Sequence, residues 1–227
     1  MSKLRMIFDL DDTLYPEREF ALCGFRAAAQ WAKSTLDIDG LDADMTRLLD
    51  AGHLGRLFGM ALEERLPGTH TSEHAAALLT AYRNAEAVLQ LFPDAEWALQ
   101  HYAVRGPLGL ITDGTHVMQL KKVRALALEP RFQHIVYTDT LGEGRAFAKP
   151  HARSFELIAS LLPERGYRFV YVGDNPVKDF VAPNAMGWIT VQVVRDGGIH
   201  DAQRTVPGGA PQHQVRALTE LPDILGA

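Results

Sequence analysis

The sequence predicts an α/β protein, a parallel sheet flanked by helices with an α-helical module inserted after the first strand. Three observations predict it. From about residue 92 onward, short apolar runs alternate with helical patterns of ten or more residues, which marks βαβ units and a parallel sheet. Between Pro16 and about Leu91 the periodicity is helical throughout, with no strand candidate. The chain has 227 residues, more than the ~150 of a typical domain, so it has room for an insertion.

The elements follow in order. Leu4-Arg-Met-Ile-Phe-Asp9 is a short apolar run of the kind that forms a buried strand. Phe20, Cys23, Ala27 and Trp31 then recur at steps of three and four, and Arg26, Gln30 and Lys33 take another face. Three further stripes, around Leu41–Leu49, Leu54–Ala61 and Ala75–Tyr82, are separated by Asp39-Gly40, Ala51-Gly52 and Pro67-Gly68. About four helices are expected there. A helix over 94–104 opens on Asp94 and Glu96, acids suited to a helix N-terminus. Strands are expected at Leu108–Thr112, His134–Thr138, Arg168–Gly173 and Trp188–Val194. The helices between them run to about Leu128, over Ala152–Leu162 and near 177–186. Arg195–Gln214, rich in Gly, Pro and polar residues, reads as loop, and a short helix is expected at Leu218–Leu225. The expected domains are an α/β core of 1–15 and 92–227 and a helical unit of 16–91.

Composition excludes several classes of partner. With 23 basic against 28 acidic residues the net charge is −5, which argues against a nucleic-acid clamp or a membrane-surface binder. Cys23 is the single cysteine, so no intrachain disulfide is possible and a reducing, cytoplasmic setting is expected. No apolar run approaches the ~18 residues of a membrane span. Monomer and homodimer both remain open.

The chemistry gathers at strand ends. Asp9, Asp11 and Asp12 follow the first strand within four positions; like charges so close repel unless a cation offsets them. Thr112-Asp113-Gly114-Thr115 ends another strand and opens a helix, where a hydroxyl and free backbone N–H groups suit a phosphate. Lys149-Pro150 precedes a third helix, and Gly173-Asp174 with Asp179 closes a further strand. Each is weak alone. Parallel strand ends converge on one crevice, so together these groups can surround one oxyanion and one hard cation.

At these residues the sequence resembles the haloacid dehalogenase (HAD) superfamily. Phe8-Asp9-Leu-Asp11-Asp12-Thr13-Leu14 is similar to its first signature; Thr112, Lys149 and Gly173-Asp174 with Asp179 stand at the second, third and fourth. The resemblance runs from the first strand to about residue 194. It implies a Rossmann-like parallel-sheet core, and the helical insertion looks like a C1-type cap. It also implies Asp9 as nucleophile, giving an aspartyl-phosphate, and Asp11 as general acid and base. Mg²⁺ would be held by Asp9, the Asp11 backbone carbonyl and Asp174, with Asp179 orienting the metal shell or Lys149. Thr112, Lys149 and the Asp113-Gly114 turn would hold the phosphoryl oxygens. Dehalogenases of this fold lack an acid at the position of Asp11, because a halide needs no proton. The resemblance thus implies a phosphatase acting on a small phosphorylated metabolite, with phosphomutase, dehalogenase and non-catalytic binding protein as alternatives. The Asp-Leu-Asp-Asp-Thr-Leu-Tyr-Pro opening looks like that of pyrimidine 5′-nucleotidase-like members, pointing to nucleoside or sugar monophosphates. Tyr15, Arg18, His53, Arg56 and His116 are candidates for choosing the substrate. His70 and His74 lack a third metal ligand in sequence, Cys23 reads as core, and Lys121-Lys-Val-Arg124 as a solvated helix face.

Overall fold

The computed structural model describes residues 3–53, 55–162 and 166–226. Among them, six strands form one sheet: β1 (Lys3–Phe8), β2 (Gly109–Thr112), β3 (His134–Tyr137), β4 (Tyr167–Gly173), β5 (Ile189–Val193) and β6 (His213–Val215). Their order is β3-β2-β1-β4-β5-β6 and every neighbouring pair is parallel. This is the parallel α/β core that the alternating pattern predicts, Rossmann-like as the resemblance implies. The chain steps from β1 outward through β2 to β3, then crosses back to β4 on the other side of β1. The order therefore reverses between β1 and β4, and the carboxyl ends of those two strands border the crevice where open α/β sheets bind ligands.

Two elements differ from the sequence reading. The last two residues of the expected loop 195–214 belong to β6, an edge strand of three residues. Three residues are too few to show a period of two; pairing with β5 defines the strand. The helix expected near 177–186 is only α8 (Val181–Ala185). The residues before it form a turn in which the Asn175 side chain accepts from the Val177 amide at 3.0 Å, a local bond that competes with helix.

The chain divides into two compact units, Met1–Glu17 with Leu89–Ala227, and Arg18–Val88. The second carries α1 (Glu17–Leu36) from Arg18 onward, α2 (Leu41–Asp50), α3 (Leu57–Arg65) and α4 (Ser72–Asn84). Within it Tyr82 packs against Phe20, Phe25 and Phe58, ring centroids 5.5–6.2 Å away. Thr71 and His74 make a reciprocal capping box at the start of α4. Phe20 and Cys23 are buried in α1, as its stripe predicts. No described helix is long and apolar enough to cross a membrane.

The first unit adds α5 (Pro93–Ala103), α6 (His116–Ala125), α7 (Arg153–Leu161) and α9 (Leu221–Leu225). Alternation along the strands sends Ile7, Ile111, Val136 and Tyr171 to a core shared with Phe155 and Ile158 of α7. Phe155 is wholly buried, 5.0 Å from the Tyr171 ring and 5.9 Å from Trp188 between centroids. Removing it leaves a cavity under the strand that carries the fourth motif. Phe155→Ala is expected to lower stability in urea unfolding by about 3–5 kcal/mol; a loss below about 1 kcal/mol would show that α7 is not packed as described.

Candidate active site

The loop after β1 begins at Asp9, whose amide continues the sheet by donating to Val172 O at 2.8 Å. Asp9 is thereby fixed at the reversal point, and Asp174 follows β4 beside it. Lys149 lies between Asp9 and Asp179. Its buried ammonium donates to Asp9 Oδ1 and Asp179 Oδ1, each at 2.7 Å, and to the Tyr171 hydroxyl at 3.0 Å. Burial alone would push the lysine towards neutrality, but the carboxylates of Asp179, Asp9 and Asp113 hold its pKa well above the ordinary value. Asp179 also accepts from the Asn175 amide at 2.9 Å through Oδ2. Residue 173 must be glycine here: a Cβ would lie 2.6 Å from that oxygen.

Carboxylate oxygens of Asp9, Asp174 and Asp179 lie within 4.8 Å of one another. Asp9 Oδ2 and Asp174 Oδ1 are buried with no hydrogen-bond partner among the described residues. Burial, then the neighbouring Asp179 charge, raises the Asp174 pKa well above its ordinary value despite Lys178. Lys178 Nζ is 3.7 Å from Asp9 Oδ2, outside hydrogen-bond range. Two orphaned carboxylate oxygens in one buried pocket form a hard, anionic donor set, which fits a small divalent cation.

Asp11, two residues on, is gripped from three sides. Tyr15 donates to Oδ1 at 2.6 Å, Lys122 to Oδ1 at 2.7 Å and Gln119 to Oδ2 at 2.8 Å. Burial would raise the Asp11 pKa, yet the Lys122 charge and the bonds from Lys122 and Tyr15 bring it below its ordinary value. Gln119 also donates to the Thr112 hydroxyl, tying the end of β2 to the acid loop. Gly114, at φ 124°, takes a conformation closed to other residues, and a Cβ there would meet the Gln119 amide at 3.0 Å. The Asp113 carboxylate turns the other way, accepting from the Thr138 hydroxyl at 2.6 Å and the Lys149 amide at 3.2 Å. Both bonds end on Oδ1 and fix the loop that carries Lys149.

Other expectations fare differently. Tyr15, expected to help choose the substrate, is wholly buried with its hydroxyl on Asp11; its role is internal, because the loop folds back through a bridge between residues 11 and 15. Lys122, expected on a solvated face, is buried and ion-paired to Asp11. A signal was present: Gln119, Lys122, Val123 and Leu126 follow the i, i+3, i+4, i+7 pattern of an inward stripe, and all four are buried. Arg18 is paired with Asp50 within the helical unit, and Arg56 precedes α3 beside an open groove that also includes Met60 and His70. His53 is exposed in the turn after α2. His116 opens α6, its amide donating to Asp139 at 2.8 Å and its ring against Tyr137.

The segment after β5 is a strap that sequence reasoning missed as part of the site. Arg195 donates to Asp94 and to the Thr13 carbonyl, at 2.7 and 2.9 Å, and stacks on Phe92. The Ile199 amide donates to Asp12 Oδ2 at 2.8 Å, while the Glu17 amide donates to Asp12 Oδ1 at 2.9 Å. No motif marks this strap: one arginine, Arg195, and one backbone amide, that of Ile199, hold it.

One buried carboxylate on a buried lysine, with a second acid held nearby, is the arrangement that the sequence resemblance implies for a hydrolase of the HAD type. A sequence model of the haloacid dehalogenase-like hydrolases matches residues 6–187, and the chain belongs to that family. Among curated proteins it is 28% identical to the glyceraldehyde 3-phosphate phosphatase of Methanocaldococcus jannaschii, covering 97% of this chain and 96% of that protein. It is 27% identical to the ribulose-1,5-bisphosphate 5-phosphatase of Halopiger xanaduensis, covering 97% and 98% respectively. Among solved structures, the fold is like that of an HAD phosphatase from Thermococcus onnurineus, with TM-score 0.63, 22% identity and 98% of each chain covered. It is also like L-2-haloacid dehalogenase from Xanthobacter autotrophicus, with TM-score 0.62, 19% identity and coverage of 100% and 99%.

Glu17 gives the site a pH dependence of its own. Burial, then the Asp11 charge, pushes its carboxyl up to about 7, against the pull of Lys122, 3.6 Å away. The unfolded chain releases that proton near 4.5 and the folded protein near 7, so rising pH favours unfolding across that window. In metal-free buffer, Glu17→Gln should gain on wild type between pH 4.5 and 7 by about 1–3 kcal/mol in chemical unfolding, and no further above it. A difference independent of pH would contradict this.

Proposed function

We propose that the chain is a Mg²⁺-dependent phosphatase that hydrolyses a short phosphorylated sugar through an aspartyl-phosphate on Asp9. The observation that carries this reading is the pair of orphaned oxygens on Asp9 and Asp174, buried beside an ammonium that is itself fixed by Asp9 and Asp179. The names of the curated relatives, phosphatases of a triose phosphate and a pentulose bisphosphate, support the choice of ester.

Asp9, Asp174 and the Asp11 backbone carbonyl would hold the cation. When bound, it supplies the positive charge that lets an anionic nucleophile approach an anionic phosphate. Lys149 holds Asp9 in place and offers its charge to the phosphoryl oxygens as charge spreads in the transition state. Thr112 and the backbone amides at 113 and 114, at the mouth of α6, receive the remaining oxygens. Asp9 attacks phosphorus; Asp11 protonates the departing alkoxide, then takes a proton from the water that releases phosphate. Asp179, with both oxygens already engaged, positions Lys149 and the loop after β4. The presence of Asp11 separates this chemistry from dehalogenation, where the leaving halide needs no acid. In the same reading the helical unit is a C1-type cap, with Arg18, His53 and Arg56 as its candidates for choosing the ester and His116 as the candidate of the core.

A panel of triose, pentose and hexose phosphates and nucleoside monophosphates, with Mg²⁺ or with chelator, tests this. Inorganic phosphate should appear only with Mg²⁺, and Asp9→Asn should lower kcat by about 10³-fold or more. Turnover without metal, full activity in Asp9→Asn, or isomerised ester in place of free phosphate would overturn the reading.

A further inference from the structure

The three donors on Asp11 do not all belong to the acid loop. Tyr15 lies four residues away and closes the loop on itself, but Gln119 and Lys122 come from α6, one turn apart on a single inward face. Both are buried, at 2% and 4% exposure. Burying an ammonium and a carboxamide is unfavourable unless their partners are fixed. Lys122 finds Asp11 Oδ1 at 2.7 Å and, more distantly, Glu17 at 3.6 Å. Gln119 bridges Asp11 Oδ2 and the Thr112 hydroxyl. The two carboxylate oxygens of Asp11 are thus held from opposite ends by one helix, and that helix starts at the turn assigned to phosphate.

Resting on the phosphatase reading, we infer that Lys122 and Gln119 are positioning residues that aim the Asp11 carboxyl at the leaving oxygen, an arrangement suited to aliphatic phosphomonoesters. The chemistry makes the link. In the first step the Asp9–phosphorus bond forms and the ester P–O bond breaks, and the leaving oxygen takes, by way of the Asp11 carboxylate that Lys122 and Gln119 hold in place, the proton that the ester brings as its monoanion. In the second, water attacks phosphorus, its proton goes to Asp11, and the Asp9–phosphorus bond breaks to free phosphate. An aliphatic alkoxide is a strong base and cannot depart without that proton. A nitrophenolate can. Misplacing Asp11 therefore slows the first step for an alkyl ester and leaves it nearly intact for an aryl ester, while the second step suffers for both.

The test compares glyceraldehyde 3-phosphate with 4-nitrophenyl phosphate in rapid-mixing first-turnover measurements on wild type, Lys122→Met, Lys122→Arg and Gln119→Leu. General acid catalysis contributes about 10²–10⁴-fold, so Lys122→Met should slow the first turnover of the alkyl ester by about 10²-fold. The 4-nitrophenolate burst should slow by less than about 5-fold and be followed by a reduced steady state. Lys122→Arg, which keeps the charge, should recover part of the alkyl rate. If Lys122→Met fails to fold, Gln119→Leu reads the same ratio. Equal loss with both esters would overturn the inference, since it would mean that the pair supports the phosphoryl group or the fold rather than Asp11. A wild type that releases phosphate from neither ester would overturn the phosphatase reading itself.

Discussion

The Lys149 ammonium is the interaction on which the rest depends. It has no exposure, and it is charged only because Asp9 and Asp179 each approach to 2.7 Å. Take away either carboxylate and a buried charge is left uncompensated, a loss that costs about 3–5 kcal/mol. That mutual dependence fixes three chain segments far apart in sequence: the loop after β1, the residues before α7 and the turn after β4. Their positions follow from the strand order, which reverses between β1 and β4 and so brings Asp9 and Asp174 side by side. The same pairing leaves a net excess of negative charge in the pocket. Asp174 and Asp9 each retain an oxygen with no hydrogen-bond partner among the described residues, and a divalent cation is the simplest chemistry that completes them.

A second layer of contacts surrounds that pair without touching it. Asp113 holds the Lys149 amide and Thr138. Lys122 and Gln119 hold Asp11, and the strap after β5 holds Asp12 through the Ile199 amide. Several of these bonds join acids of the first loop to elements more than 100 residues away. The acid loop is therefore shaped by the whole core rather than by its own turn. Asp12 shows the result: it adopts φ 49°, a conformation that aspartate tolerates better than most residues, because both carboxylate oxygens have backbone donors.

Much of this was legible in the sequence because the polar candidate-site side chains at strand ends interrupt apolar runs. Asp9 after Met-Ile-Phe, Thr112 after Leu-Ile and Asp174 after Val-Tyr-Val-Gly are visible as breaks in a buried pattern, and they converge once a parallel sheet is assumed. Lys122 was not read correctly because a basic cluster normally faces water, and the stripe it shares with Gln119, Val123 and Leu126 carries only two apolar members. Tyr15 was misplaced because a tyrosine beside an acid motif looks accessible, whereas the turn from Asp11 to Tyr15 folds it inward. The strap and β6 left no signal: a lone Arg195 in a polar loop does not announce its partners Asp94 and Phe92, the Ile199 amide is common to any sequence, and β6 rests on a three-residue pairing.

The excess of buried negative charge is tested most directly by calorimetric titration of Mg²⁺ into the metal-stripped protein. One equivalent should bind to wild type, and Asp174→Asn should lose that binding while keeping the fold by circular dichroism. No binding to wild type, or unchanged affinity in Asp174→Asn, would contradict a cation site built on Asp9 and Asp174.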